Sequence, residues 1–124
     1  MLQKVVLSEA FGRFSDIWSP KIAGDINDLQ VKLAKFEGEF VWHHHDDEDE
    51  LFLLVSGALR IELEDGAVEL SPGEFVIIPR GTGHRPVAIP TAEVVLLEPA
   101  TTLNTGSRPD DEHTVSKLQR LDAV

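Results

Sequence analysis

The chemistry-bearing residues of this chain concentrate in "VWHHHDDEDELFLLVSG", Val41 to Gly57. Imidazoles and carboxylates are the side chains that bind divalent transition metals. In an extended segment side chains alternate, so Val41, His43 and His45 point one way and Phe40, Trp42 and His44 the other. A strand rise of ~3.3 Å per residue puts the Cα atoms of His43 and His45 roughly 7 Å apart, which lets two imidazoles converge on one ion. His44 then faces away, as a surface or interface residue. The acidic run Asp46 to Asp49 lacks the Asp-x-Asp-x-Asp-Gly spacing of an EF-hand loop and reads as a solvated turn. A chain that folds back after this turn returns Glu50 beside His45, where it offers a carboxylate oxygen. A fourth candidate, His84, ends "GEFVIIPRGTGH". Its Pro-x-Gly-x-x turn aims the ring back into the sheet.

The elements that must position these residues read as strands and turns. In "LQVKLAKF", Leu29, Val31 and Leu33 alternate with Gln30, Lys32 and Ala34. In "ALRIELEDGAVEL", Leu59, Ile61 and Leu63 share a face, Asp65-Gly66 stands where a two-residue hairpin turn belongs, and Val68 and Leu70 continue the face. Ser56-Gly57 marks another turn, and Pro72-Gly73 fits the centre of a type II turn. "FVIIP" and "AEVVLLEP" are near-continuous apolar runs that suit strands covered on both faces. Short strands separated by turn signals predict an all-β sandwich or barrel. Two short helices are expected, Glu9 to Trp18 capped by Ser8 and Lys117 to Val124 capped by Ser116. Asn104 to Thr114 is polar and turn-rich, an exposed connection to a loosely held tail.

The chain has 124 residues, the size of one domain, so a single unit over 1–124 is expected, with the barrel core at about 28–100 and 104–124 as a peripheral tail. Eleven basic against twenty-two acidic residues give a net charge of -11, which argues against nucleic acid and mildly against anionic membranes as partners. Cysteine is absent, which rules out disulfides, thiolate catalysis and cysteine-bound metal. Tyrosine is absent too, so no phenol serves as acid or base. There is no apolar run of ~18 residues and no signal-peptide pattern, and a cytoplasmic protein is the default expectation.

The spacing His43-x-His45-x4-Glu50-x6-Gly57, followed by Gly73-x5-Pro79-x-Gly81-x2-His84, resembles the two motifs of the cupins. The order and the short gap between the motifs are similar to small bacterial cupins, including a subgroup described as like mannose-6-phosphate isomerase. Two positions depart from the pattern: four residues rather than five lie between Gly38 and His43, and Ala88 stands where an Asn is usual. The resemblance implies a double-stranded β-helix, a jelly-roll barrel, with short peripheral helices. It implies one divalent transition metal (Fe, Mn, Ni, Zn or Cu) held by His43, His45, Glu50 and His84, and often a homodimer. Phe52 and Leu54, with either Phe75 and Ile77 or Val76 and Ile78, then line an apolar cavity that takes a small-molecule ligand. Arg80 or Arg85 is a candidate to hold a carboxylate at its mouth. The functions implied are a metal-dependent dioxygenase or an isomerase or lyase, with Glu50 as the candidate catalytic base. The alternative is a non-enzymatic binding module with a structural metal. The acidic surface and the absence of tyrosine disfavour a sugar-phosphate substrate and a phenolate-based lyase.

Overall fold

The computed structural model describes residues 2–122. One short helix, α1 (Leu7–Phe11), precedes six strands: β1 (Lys21–Ile26), β2 (Leu29–Glu39), β3 (Glu50–Leu63), β4 (Gly66–Leu70), β5 (Phe75–Ile78) and β6 (His84–Pro99). Every strand pairing is antiparallel, in the order β1-β2-β6-β3-β4, with β5 paired to β3. β4 takes the Leu59–Leu63 stretch of β3 and β5 the Glu50–Leu53 stretch, so one edge of β3 carries two short partners end to end. The chain is an all-β jelly roll, as the resemblance implied, and its sheet begins at Lys21.

Two apolar clusters sit on opposite sides of the sheet. The inner one gathers Trp18, Ala34, Phe36, Phe40, Phe52, Leu54, Leu59, Ile61, Ile78, Val94 and Leu96 among others. The outer one joins Ala10 and Phe11 of α1 to Ala23, Leu33 and Leu121. A strand covered on both sides buries both parities. That is why β2 sends Leu33 outward under α1 and Lys32, Ala34 and Phe36 inward.

Several local expectations change for identifiable reasons. Ser56-Gly57 is a bulge within the continuous strand β3, not a turn; register shifts lie on both sides of it. Gly57 has φ +88°, and a Cβ there would run into the Thr91 carbonyl. The bulge flips the inward parity from Phe52 and Leu54 to Leu59 and Ile61. The hairpin turn is Glu64-Asp65, one residue early, because Leu63 pairs with Gly66. Pro72-Gly73 does form a turn, with Gly73 at φ +89° and the Glu74 amide donating to the Ser71 carbonyl at 3.0 Å. β5 is not covered on both faces: Phe75 and Ile77 are exposed, and Ile78 alone is fully buried.

The expected helix from Glu9 to Trp18 shortens to one turn preceded by Val6, without a side-chain cap. Trp18 instead adopts φ +56° and stacks between Phe36 and Phe40, with ring centroids 4.3 and 4.6 Å away. Its amide donates to Lys35 O at 2.8 Å and its indole N–H to Glu37 O at 3.1 Å. The second expected helix does not form over residues 117–122, and its last two residues lie outside the described range. That stretch forms a parallel bridge between Arg120 and Ile22, and Leu121 fills the outer cluster. Residues 104–121 are tied down rather than loose. Asn104 donates to His113 O and accepts from the Val115 amide, Thr105 is fully buried, and His113 packs against Phe40 at 5.4 Å.

Candidate metal centre

The sequence places His43 and His45 in an extended segment after β2, and the structure keeps the alternation without a full strand ladder. His43 and His45 are buried, whereas Trp42 is exposed and His44 half-buried. Phe40 is a correction: it points inward with the Trp18 cluster, so the inward parity changes between Phe40 and His43. His43 meets His84 in an isolated antiparallel bridge, each amide donating to the other's carbonyl at 3.1 and 2.9 Å. Directly opposed residues in such a pair project side by side, and the two rings lie 4.4 Å apart.

Three backbone clamps fix the histidine segment. The Gly81 amide, in the turn of the second motif, donates to His45 O at 2.7 Å. The Ser107 amide donates to His44 O at 2.9 Å, and the His44 amide donates to Ser107 Oγ at 3.2 Å. Gly106, at φ +51°, lets the tail pass so close that a Cβ would meet the His44 carbonyl. The acidic turn lies outside. Asp46, Asp47 and Asp49 are exposed, Asp49 accepts the Arg80 amide at 2.8 Å, and Glu48 accepts the Thr101 hydroxyl at 3.0 Å.

Glu50 opens β3 and completes the group. One ligand atom from each of His43, His45, Glu50 and His84 lies within 4.8 Å of the others, and all four residues are buried. Glu50 Oε1 is 3.0 Å from His45 Nε2 and 3.3 Å from His84 Nε2. At these contacts the angles do not make hydrogen bonds: Glu50 Oε1, His84 Nε2 and both ring nitrogens of His45 are buried without a hydrogen-bond partner. Orphaned donors and acceptors of this kind are costly in a protein interior. A shared cation would satisfy Glu50 Oε1, His84 Nε2 and one ring nitrogen of His45 together. The outer contacts support the same use: His43 Nδ1 meets Val41 O at 2.8 Å and His84 Nδ1 meets Thr82 O at 2.9 Å. Donation from Nδ1 to a carbonyl leaves the Nε2 lone pair free for an ion. His45 has no such anchor, its Nδ1 being 4.0 Å from Glu48 Oε1.

The electrostatics agree. Burial, reinforced by the charge of His84, lowers His43 to about 4 and keeps its ring neutral, the form a metal requires. Burial pushes the Glu50 carboxyl up, but the His45 and His84 imidazoles beside it outweigh that and hold Glu50 below the ordinary carboxylate range. The cluster offers three imidazoles and one carboxylate, a donor set that suits a divalent transition metal.

His43 and Glu50 also line a small cavity, with about 30 Å³ open to the centres of water molecules. Its walls are mostly apolar, from Trp18, Phe36, Phe40, Phe52 and Leu96. Phe52 therefore lines it as expected, whereas Leu54, Val76 and Ile78 pack in the adjoining core. Neither arginine reaches the mouth. Arg85 pairs with Glu62 at 2.5 Å and lies over the Trp42 ring at 5.4 Å, and Arg80 sits on the surface beside Asp49. Ala88, at the variant motif position, is buried in the inner cluster.

Two charged cavity residues were missed in the sequence. Lys32 and Glu98 are 2% and 3% exposed and line the cavity with the metal-site residues. The available signal was parity, since Lys32 shares its strand face with Ala34 and Phe36, but a lysine in an alternating pattern reads as solvent-facing. Burial, the negative charge of Glu50 and a weaker opposing pull from Lys32 leave the Glu98 carboxyl raised to about 8.

The fold is a β-jelly roll with a buried three-histidine, one-carboxylate cluster beside an apolar cavity, a donor set that suits a divalent metal. The chain belongs to the Cupin domain family, whose pattern matches residues 30–99. An uncharacterised protein of Bacillus subtilis, YdbB, is 45% identical over 62 residues, covering 49% of this chain and 55% of the relative. A putative dioxygenase of Saccharolobus solfataricus, SSO1533, is 30% identical over 87 residues, 68% of this chain and 23% of the relative. The chain thus spans about half or less of the curated relatives it matches. A cupin-2 domain protein from Shewanella frigidimarina superposes with a TM-score of 0.75 at 40% identity, over 77% of this chain and 93% of that one. Among the described residues, no helix is long and apolar enough to cross a membrane.

Proposed function

We propose that His43, His45, Glu50 and His84 bind one divalent transition metal and that the site converts a small organic molecule in the adjoining cavity. The observation that carries this reading is that His43 and Glu50 belong at once to the buried ligand cluster and to the cavity wall. An ion at the cluster therefore faces the cavity rather than closed protein, which suits a working site better than a structural pin. A bound ion supplies Lewis acidity and, as Fe(II), the capacity to activate dioxygen.

A dioxygenase is the leading form, supported by the likeness to a putative dioxygenase over 87 residues. In it the histidines hold the ion, the Nδ1 contacts to Val41 O and Thr82 O fix two rings, and the aromatic wall excludes water from the substrate. An isomerase or lyase is the second reading. The presence of a second buried carboxylate, Glu98, on the cavity favours it, with Glu50 as the base that moves the proton. The experiment is metal analysis of tag-free protein followed by loading with Fe(II) and screening of oxygen consumption against small organic acids and phenols. Uptake that depends on Fe(II) and His84 supports the dioxygenase. Turnover without oxygen uptake, with Zn, Ni or Mn, supports the second reading. Tight metal without turnover of any class selects the non-enzymatic module. The proposed setting is a cytoplasmic homodimer, checked by light scattering against the chain mass of 13.7 kDa.

A further inference from the structure

The cavity holds a polar pair that the metal cluster does not account for. Lys32 on β2 and Glu98 on β6 point to the same interior, on strands whose register puts Gln30 opposite Glu98 and Lys32 opposite Leu96. Both are almost fully buried, and both line the cavity. Their closest approach, Lys32 Nζ to Glu98 Oε2, is 3.7 Å, too long for a hydrogen bond, and Glu98 Oε2 has no other partner. A buried ammonium whose nearest carboxyl lies beyond hydrogen-bond reach recovers little of its desolvation cost. Replacement by apolar residues would serve the fold as well, so the pair's placement calls for a ligand.

We propose that Lys32 is the anion-recognition residue of the cavity, receiving the carboxylate of a small monocarboxylic acid whose apolar body lies against Phe36, Phe52 and Trp18. The ammonium offers three donors at the end of a flexible stem, and Glu98 positions it from the neighbouring strand. The charge pattern selects a singly charged ligand. Lys32 is a single cation, and the Glu50 carboxylate lines the same space, so one negative charge on the ligand is matched and a phosphate dianion is not. The inference rests on reading this cavity as the substrate chamber. It places the substrate's charged end at Lys32, leaving its reacting part toward His43 and Glu50.

The probes are pyruvate, butyrate and benzoate, each compared with its amide. Trp18 lines the cavity, and Trp42→Phe leaves it as the sole tryptophan of a chain that has two, so its fluorescence reports occupancy. Titrations are run on metal-loaded and on chelated protein, with metal content measured beside them. At least one carboxylate is expected to bind and its amide to fail. Lys32→Met is expected to weaken binding by at least ~10-fold, the scale of a charge-assisted hydrogen bond, with metal content unchanged. Glu98→Gln is expected to keep binding. If Lys32→Met does not fold, Lys32→Met with Glu98→Leu removes both charges together and gives the same loss. Carboxylate binding that survives loss of Lys32, or no binding by any of the three acids, overturns the proposal. Lys32-dependent binding to a protein that holds no metal upholds it while contradicting the metal reading.

Discussion

At the scale of single residues, the centre is a compromise between burial and satisfaction. Glu50, His45 and His84 carry polar atoms that the protein alone leaves unpaired. Chelation should therefore cost stability: we expect the thermal midpoint to fall on metal removal and to recover on reloading, by the linkage of ligand binding to folding. A different balance governs Lys21, a buried ammonium 2.7 Å from Asp16 Oδ2. The hydrogen bond from Lys21 lowers the Asp16 pKa below 3.8, so the pair stabilises the fold above that value and the gain is lost as pH falls through the folded-state value. Asp16→Asn should cost roughly 1 kcal/mol near neutrality, with the difference from wild type closing below pH 3.8, measured by urea denaturation. The metal candidates were legible because imidazole and carboxylate advertise their chemistry and their spacing survives without an alignment. Lys32 and Glu98 were not, because burial of a charge is decided by neighbouring strands and leaves no mark in local sequence.

At the scale of elements, bulges and backbone clamps decide which side chains meet. β3 presents Phe52 and Leu54 inward before the Gly57 bulge and Leu59 and Ile61 after it. Gly57→Ala should cost at least about 2 kcal/mol, from the positive φ alone, with the encroachment on the Thr91 carbonyl added. An unchanged denaturation midpoint would show that the bulge relaxes freely. The alternating strands β2 and β3 with β4 were readable from period two, and so was the Pro72-Gly73 turn. The helix at Glu9 to Trp18 was not. Its apolar residues serve two different clusters: Phe11 packs outside the sheet and Trp18 inside it, on a left-handed backbone no periodicity announces. Trp18→Ala should lose roughly 3–5 kcal/mol, as other large core truncations do, and open the cavity wall.

At the scale of the whole molecule, the C-terminal segment is part of the site's architecture. It covers the outer cluster with Leu121, packs His113 against Phe40 and clamps His44 through Ser107. Deleting residues 119–124 should destabilise the fold by about 2–5 kcal/mol, the range for emptying a buried leucine site; a loosely held tail would leave the midpoint unchanged. The polar composition of 104–114 hid this, because its contacts are hydrogen bonds, within the C-terminal segment and to His44, rather than an apolar stripe. The central claim remains the metal, and one measurement reaches it directly: metal content by mass spectrometry on tag-free wild type and His84→Ala, both shown to be folded. The account predicts about one equivalent of a divalent transition metal per chain, held by the four-ligand cluster, and its loss in the variant. A wild-type protein that holds none and takes none up on reloading, or a variant that binds as the wild type does, would contradict it.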